Sequence, residues 1–263
     1  MNALSFLTDK YEQSYPFGRK MFKFHLLTHA ALVYFICVGT TFQWLMFLLA
    51  YFLYACIGFS IGFHRMLAHR AFKEQSWFRP VAILFGTLSG IGSALSFVST
   101  HRDHHRYSDR PGDVYSMYNL PGWYAQWFPM FEKVSLRGAF DLFKDPMCRL
   151  TQKYYFKVHF CWAVLLFLID PMAVIYFYLA PVALFWSAAN SLNTLSHWPK
   201  TNWLFYRNFD TKDKSVCSIP IGIYTFGEGW HNNHHHSGRA KNFRVKWWEI
   251  DISYQVIKLV EKK

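Results

Sequence analysis

Residues 24–63 read FHLLTHAALVYFICVGTTFQWLMFLLAYFLYACIGFSIGF, forty positions without an Asp, Glu, Lys or Arg. A helix crossing a bilayer needs about 20 apolar residues. The stretch is two such lengths, and Gly39-Thr40-Thr41 near its middle supplies a turn, so it predicts a helical hairpin. A second hairpin is expected over about 155–192, where Asp170 is the single formal charge between Val158 and Pro199. Asp170-Pro171 breaks that run, with Asp suited to an N-cap and Pro to a first helical turn. The whole 263-residue chain carries the same bias: 52% hydrophobic, 21% aromatic and only 17% charged, against about 25% charged in a soluble domain. Disordered, collagen-like and disulfide-stapled classes are excluded. The five cysteines (37, 56, 148, 161 and 217) form no C-x-x-C pair and no disulfide framework. The net charge of +12 points to a membrane surface and not to nucleic acid.

The basic residues set an orientation. Neither hairpin tip contains Lys or Arg, whereas the amino-terminal segment, the 64–157 stretch and the chain after Pro199 are rich in them. By the positive-inside rule both termini and both large polar segments face the cytosol, and no cleavable leader is expected. Residues 81–99 are apolar but rich in Gly and Ser. They are read as one helix packed against the cytosolic face without crossing. Residues 246–261 alternate Trp247, Ile250, Tyr254 and Ile257 with polar positions, the pattern of an amphipathic interfacial helix. The expected fold is thus an all-α integral membrane protein: four transmembrane helices in two hairpins (about 24–63 and 155–192) under a cytosolic helical cap (64–154 and 193–263), one domain over 1–263. The membrane would be the inner membrane of a bacterium or the endoplasmic reticulum of a eukaryote.

Nine of the 13 histidines fall into a pattern. His64 and His69 make H-x4-H; His101, His104 and His105 make H-x2-HH; His231, His234 and His235 repeat it; His197 lies four residues after Asn193. Positions i, i+3 and i+4 share one face of an α-helix, so each H-x2-HH triplet presents three imidazoles to one side. On an α-helix His64 and His69 are about 140° apart, which suits two different ions. All nine sit at one predicted membrane boundary. Imidazole suits Fe, Zn, Cu and Ni, whereas Mg and Ca prefer oxygen. Nine rings exceed the need of one ion, and two ions with four or five ligands each match the count. Iron held by neutral imidazoles with open positions binds and reduces O₂, chemistry that can reach an unactivated C–H bond in a dry cavity. No Ser-His-Asp set, phosphate loop or carboxylate pair suggests hydrolysis.

GFHRMLAHR (62–70), THRDHHRYSDRPGD (100–113), NSLNTLSHW (190–198), GEGWHNNHH (227–235) and the tail WWEIDISYQVIK (247–258) resemble the membrane fatty acyl desaturases, specifically the Δ9, stearoyl-CoA desaturase-like branch in its bacterial form. The resemblance implies a mushroom-like fold with two irons in a cytosolic cap and O₂ as co-substrate. One iron would be held by His64, His101, His105 and His234 with Asn193 reaching it through water, the other by His69, His104, His197, His231 and His235. It implies insertion of a cis double bond into a saturated acyl chain lying in a kinked tunnel. The carrier is CoA, acyl carrier protein or a lipid, and the electrons come from a separate ferredoxin or cytochrome b5-type donor. The chain departs from the family where Asp113 is followed by Val114-Tyr115 in place of Pro-His, and where Ser96-Phe97-Val98-Ser99 replaces charged residues before the second box. The alternatives are a lipid or alkane hydroxylase using the same metals and a metal-handling membrane protein without catalysis.

The remaining polar residues take plainer expectations. His25 and His29 share a face of the first span and are read as interhelical hydrogen-bonders. His159 and His236 are read as neighbours of the site or of the interface. Arg65, Arg70, Lys73, Arg102 and Arg106 are read as headgroup contacts, with substrate phosphate as the alternative. Asp103, Asp109, Asp113 and Glu228 are candidate acceptors for ligand imidazole N–H groups. Trp44 and Trp198 are assigned to an aromatic belt.

Overall fold

A computed structural model describes residues 15–132, 134–198 and 200–262. The chain is mostly helical. Helix α1 (Tyr15–Val38) and helix α2 (Thr41–Tyr51) form the first hairpin. Its turn is as short as expected. Thr40 caps α2, its hydroxyl accepting from the Gln43 amide at 3.4 Å while the Gln43 side chain accepts from the Thr40 amide at 3.0 Å, a reciprocal box.

The second arm differs from expectation. Helix α2 runs on without a break into a π-helical segment, Phe52–Ala68, so His64 lies inside a helix and not after one. π-Helix is rare and usually a single turn; here it spans 17 residues. Close packing accompanies it. A Cβ on Gly58 would meet the backbone of Phe85 and Gly86 at 2.3 Å, and one on Gly62 would meet the Ala82 side chain at 2.9 Å. Small residues on both partners let helix α3 (Phe78–Leu88) lie directly on this segment.

Residues 81–99, expected as one helix, are two. Helix α3 stops at Leu88 and helix α4 (Ala94–Tyr107) starts after Ser93, whose hydroxyl accepts from the Ser96 amide. Gly90 and Gly92 between them have φ of +82° and +114°, a conformation that favours glycine. Both helices are largely buried against protein, as the small residues suggested.

Helices α5 (Gly122–Trp127) and α6 (Pro146–Lys153) lead to α7 (Tyr155–Ile169). Asp170 then makes the expected break, accepting from the Met172 amide at 2.9 Å. A π-turn, Ile175–Leu179, feeds helix α8 (Ala180–Thr194) and a 3₁₀ turn, Leu195–His197. Among the described residues, three helices are long and apolar enough to cross a membrane: Phe17–Val38, Thr41–Ala68 and Ile175–His197. The fourth expected span, α7, has 15 residues, about 22 Å of helix against a hydrocarbon core of about 30 Å. Outward faces of α1, α2 and α7 expose Leu26, Val33, Phe42, Leu48, Phe167 and Leu168, which fits a lipid environment.

The last part of the chain is compactly folded beside the π-helical segment. A two-residue antiparallel ladder joins Phe205–Tyr206 to Cys217–Ser218, a small exception to the all-α expectation. Helices α9 (Ile219–Tyr224), α10 (His231–His236) and α11 (Ile252–Val260) follow. The tail helix is shorter than the 246–261 predicted. Asp251 caps it by accepting from the Tyr254 amide at 2.9 Å. Its apolar face, with Ile257 and Val260 buried, docks on protein, leaving Trp247 and Ile250 exposed outside the helix.

Candidate metal centre

Four pieces of chain deliver the nine histidines: the end of the π-helical segment (His64, His69), α4 (His101, His104, His105), the turn after α8 (His197) and α10 (His231, His234, His235). They gather into two adjacent groups. His64, His69, His101, His105 and His234 form one; His104, His197, His231 and His235 form the other. Within each group one nitrogen per ring lies within 4.8 Å of all the others. The Nε2–Nε2 separations are 3.0 Å for His64–His234, 2.7 Å for His69–His101, 3.1 Å for His101–His105, 2.8 Å for His105–His234 and 3.1 Å for His197–His231.

His69 departs from the expected division. It was assigned to the second ion and lies in the first group. The α-helical angle does not apply to it, because the backbone here is π-wound. The His69 amide donates to the His64 carbonyl five residues back, at 3.0 Å, so the two side chains leave on one face with ring centroids 4.8 Å apart.

Carboxylates hold the outer nitrogens. Asp113 lies 2.9 Å from His104 Nδ1, Asp109 3.0 Å from His197 Nδ1, Asp213 2.8 Å from His235 Nδ1 and Glu228 2.5 Å from His64 Nδ1. An acceptor on Nδ1–H fixes the tautomer that leaves the Nε2 lone pair facing inward. Asp109, Asp113 and Glu228 were expected in this role. Asp103 is instead at the surface, 3.5 Å from Arg106. Asp213 was missed; it sits in a polar loop between the third and fourth histidine clusters with no spacing signal to mark it.

The charges follow. Burial alone would raise all four carboxyls, but Asp113 is held below the usual range by His104, Asp109 by His197, and Asp213 far below by His235. Glu228 is lowered to about 2 by His64 and Arg65. Burial, then the neighbouring rings, keeps His101, His105, His231 and His234 well below the ordinary value. The same causes bring His69 to about 2, and burial brings His235 to about 4. His104 is the exception: burial lowers it, but Asp113 overcomes that and raises it.

These nitrogens fit transition-metal ions. His104 Nε2 and His235 Nε2 are buried without a hydrogen-bond partner. Rings whose nitrogens converge at about 3 Å with few protons to share suit a cation, since nitrogens about 2 Å from a common ion lie about 3 Å apart. An all-imidazole set favours Fe, Zn, Cu or Ni over Mg or Ca.

Arg65 is not a headgroup contact. It is fully buried. It donates to Glu228 at 3.1 Å and to Asp251 at 2.8 Å, and its guanidinium lies 3.8 Å over the Phe243 ring. Arg102 also points inward, donating to the carbonyls of Leu67 and Ala68 at 2.9 and 3.0 Å and to Asp141 at 2.6 Å. Arg70 pairs with the same Asp141. Asn193 lines a cavity with His64, His101, His231 and Glu228, whose apolar wall includes Phe59, Phe97, Ala189 and Leu192. His29 joins helices as expected, its Nε2 3.4 Å from Ser187 Oγ on α8, whereas His25 Nε2 lies 3.2 Å from the Gly90 carbonyl in the turn between α3 and α4. His159 bonds Tyr178 between α7 and the π-turn. His236 stacks on Phe209 at 3.9 Å, outside both groups.

The fatty acid desaturase family model matches residues 42–258. The chain is 28% identical over 220 residues to the sn-1 stearoyl-lipid 9-desaturase of Anabaena variabilis, covering 81% of this chain and 79% of that one. It is 30% identical over 252 residues to the acyl-CoA C20 Delta5-desaturase of Anemone leveillei, covering 90% and 78%. It is 32% identical over 234 residues to the hex-5-enoyl-[acyl-carrier protein] acetylenase of Moorena producens, covering 78% and 70%.

Proposed function

We propose, from the premise that this chain belongs to the fatty acid desaturase family and is an oxidoreductase of its acyl-desaturating kind, that it inserts a cis double bond at the ninth carbon of a saturated acyl chain. The reaction removes two hydrogens from the chain and, with O₂, two protons and two electrons from a separate ferredoxin or cytochrome b5-type donor, leaves two waters. Two irons, one in each histidine group, supply the O₂-reducing chemistry when bound. The observation that carries this reading is the cavity in which Phe59, Phe97, Ala189 and Leu192 face the same space as His64, His101 and His231. Apolar walls hold acyl methylenes and exclude water, and burial holds His101 and His231 beside them well below the ordinary imidazole value, with lone pairs available to a cation.

The protein's own groups divide the work. Asp109, Asp113, Asp213 and Glu228 fix ring tautomers. Arg65 balances Glu228, and Asn193 offers a polar group at the cavity wall. In this reading the chain crosses the membrane four times, α7 crossing with the turns at its two ends, and the histidine-bearing segments form a cytosolic cap. The Lys- and Arg-free hairpin tips support that orientation. The acyl carrier is a lipid, CoA or acyl carrier protein, the three kinds that the relatives' names contain.

Expression in a host of defined fatty acids, with iron and an electron donor supplied, followed by mass spectrometry with double-bond localisation, tests the reading. New Δ9 monoenes support it. Hydroxylated chains would favour the hydroxylase. No product from fully iron-loaded protein with a competent donor would favour a non-catalytic metal protein. His101→Ala, His105→Ala and His234→Ala should each abolish product while the protein still inserts.

A further inference from the structure

The two histidine groups are similar in ring count and unlike in charge. Three aspartates lie on the outer nitrogens of the four-histidine group: Asp113 on His104, Asp109 on His197 and Asp213 on His235. The other partners of these carboxylates are neutral, and Arg207 reaches Asp213 only at its backbone carbonyl, at 3.1 Å. Asp109 accepts from the Lys214 amide at 2.6 Å. Asp113 accepts from the Asp109 and Tyr115 amides at 3.1 and 3.0 Å. Asp213 accepts from the Ser215 amide and from the Thr211 and Ser215 hydroxyls. The five-histidine group has one such carboxylate, Glu228 on His64, and it is shared with the buried Arg65 guanidinium, itself divided between Glu228 and Asp251. A second guanidinium, Arg102, binds the carbonyls of Leu67 and Ala68 just before His69 and is paired with Asp141 at 2.6 Å.

We propose that the four-histidine group is the tighter of the two metal sites and fills first, and that Asp109, Asp113 and Asp213 are the positioning residues that make it so. Each carboxylate one ring away attracts a divalent cation, and buried charges are screened little by salt. The fifth imidazole of the other group is a neutral donor that replaces a water, a smaller gain than a net charge. The two arginines on that side offset Glu228, Asp251 and Asp141, so little acidic excess is left there to attract a cation. The ion that exchanges more readily is then the one held by His64 and His101, on the wall of the apolar cavity. This rests on the reading that both groups hold metal, and it adds which one loads first.

The test is a titration of the metal-free, full-length protein in detergent with Co²⁺, read by visible absorption and by metal analysis after gel filtration. Two phases are expected, the first at least about tenfold tighter. Loss of a carboxylate behind a metal-binding histidine typically lowers affinity about 10- to 100-fold. Asp213→Asn and the double variant Asp109→Asn/Asp213→Asn should therefore weaken the first phase by about tenfold or more and leave the second unchanged. Glu228→Gln should do the reverse, and His235→Ala should remove the first phase alone. Thermal melts of the metal-free variants identify any that fail to fold, and Asp213→Asn, on a half-buried loop, then decides the matter alone. A single phase in the parent protein, or a weakened second phase in Asp213→Asn, overturns the inference. A protein that binds two equivalents in this order and makes no unsaturated product would defeat the desaturase reading and leave this one standing.

Discussion

The His69 amide donates to the His64 carbonyl at 3.0 Å, and their rings, with centroids 4.8 Å apart, serve one histidine group. A five-residue spacing that would separate them on an α-helix joins them on a π-helix. Metal stoichiometry can check this. His64→Ala and His69→Ala should each compromise the same equivalent of bound metal, and the double variant should lose no more than one. If the double variant loses both equivalents while each single loses one, the rings serve different ions.

Arg65 carries its charge with no exposure, shared by Glu228 and Asp251. Removing one partner of a buried ion network typically costs about 3–5 kcal/mol, because the remaining charges are left uncompensated. Arg65→Ala should lower the melting temperature by on the order of 10 °C and loosen metal at His64. Arg65→Lys keeps the charge but loses the planar fork that reaches both carboxylates, and should fall between the two. A melt of Arg65→Ala within about 2 °C of the parent would show that the network contributes little.

Much of this was legible in the chain, for identifiable reasons. The H-x2-HH triplets fall on α-helical backbone in α4 and α10, so their shared faces follow from α-helical spacing alone. The turn at Gly39-Thr40 carries its own capping chemistry, with Gln43 three residues after Thr40. The break at Gly90–Ser93 was also written there, as two glycines before an N-cap serine, but the apolar run around it reads as continuous. The π-winding of Phe52–Ala68 was not legible, because apolar residues all round a buried helix give no period to distinguish hydrogen bonds that step four residues from those that step five. Asp213 and the Arg65–Asp251 pair were hidden for another reason: each joins residues from distant parts of the chain, and only the packed structure brings them together.

Acid should unfold the metal-free protein in a window set by the histidines. His101, His105, His231 and His234 are held well below the ordinary value, His235 at about 4 and His69 at about 2. The folded chain therefore refuses protons that the unfolded chain takes up near pH 6.5. The unfolded state binds more protons below that pH, so these six rings make stability rise with pH up to about 6.5. His104, raised by Asp113, acts on the other side of that pH: its contribution is present below about 6.5 and is lost as pH rises through its folded value. Each proton contributes about 1.4 kcal/mol per pH unit. The depressed aspartates add a second loss only below about pH 4. The melting temperature of metal-free protein should thus peak near about pH 6.5, fall steeply below it as six rings resist protonation, and decline more gently above it as His104 alone loses its proton. A flat profile down to pH 5 would mean that the rings are protonated in the folded state.

Ile91 and Tyr115 line two cavities at once. One is the metal-facing space of His64, His101 and Phe59; the other, bounded by Met21, Thr100, Met130 and Trp186, lies toward α1 and α8. Tyr115 also stands edge-on to His104, ring centroids 6.0 Å apart, at the position where the family's Pro-His is replaced. A chain threaded through both spaces passes between these two side chains, so their bulk fixes which carbons lie beside the metal-facing rings. Ile91→Trp should narrow the neck and lower turnover on long saturated chains by about tenfold, equivalent to about 1.4 kcal/mol in the barrier, with metal content unchanged. Tyr115→Ala should widen it and spread the double bond over neighbouring positions. Tyr115→Phe, which keeps the ring, should retain the parent position. Product analysis with double-bond localisation, alongside metal analysis, separates these outcomes. Unaltered products and rates in both Ile91→Trp and Tyr115→Ala would place the acyl path elsewhere.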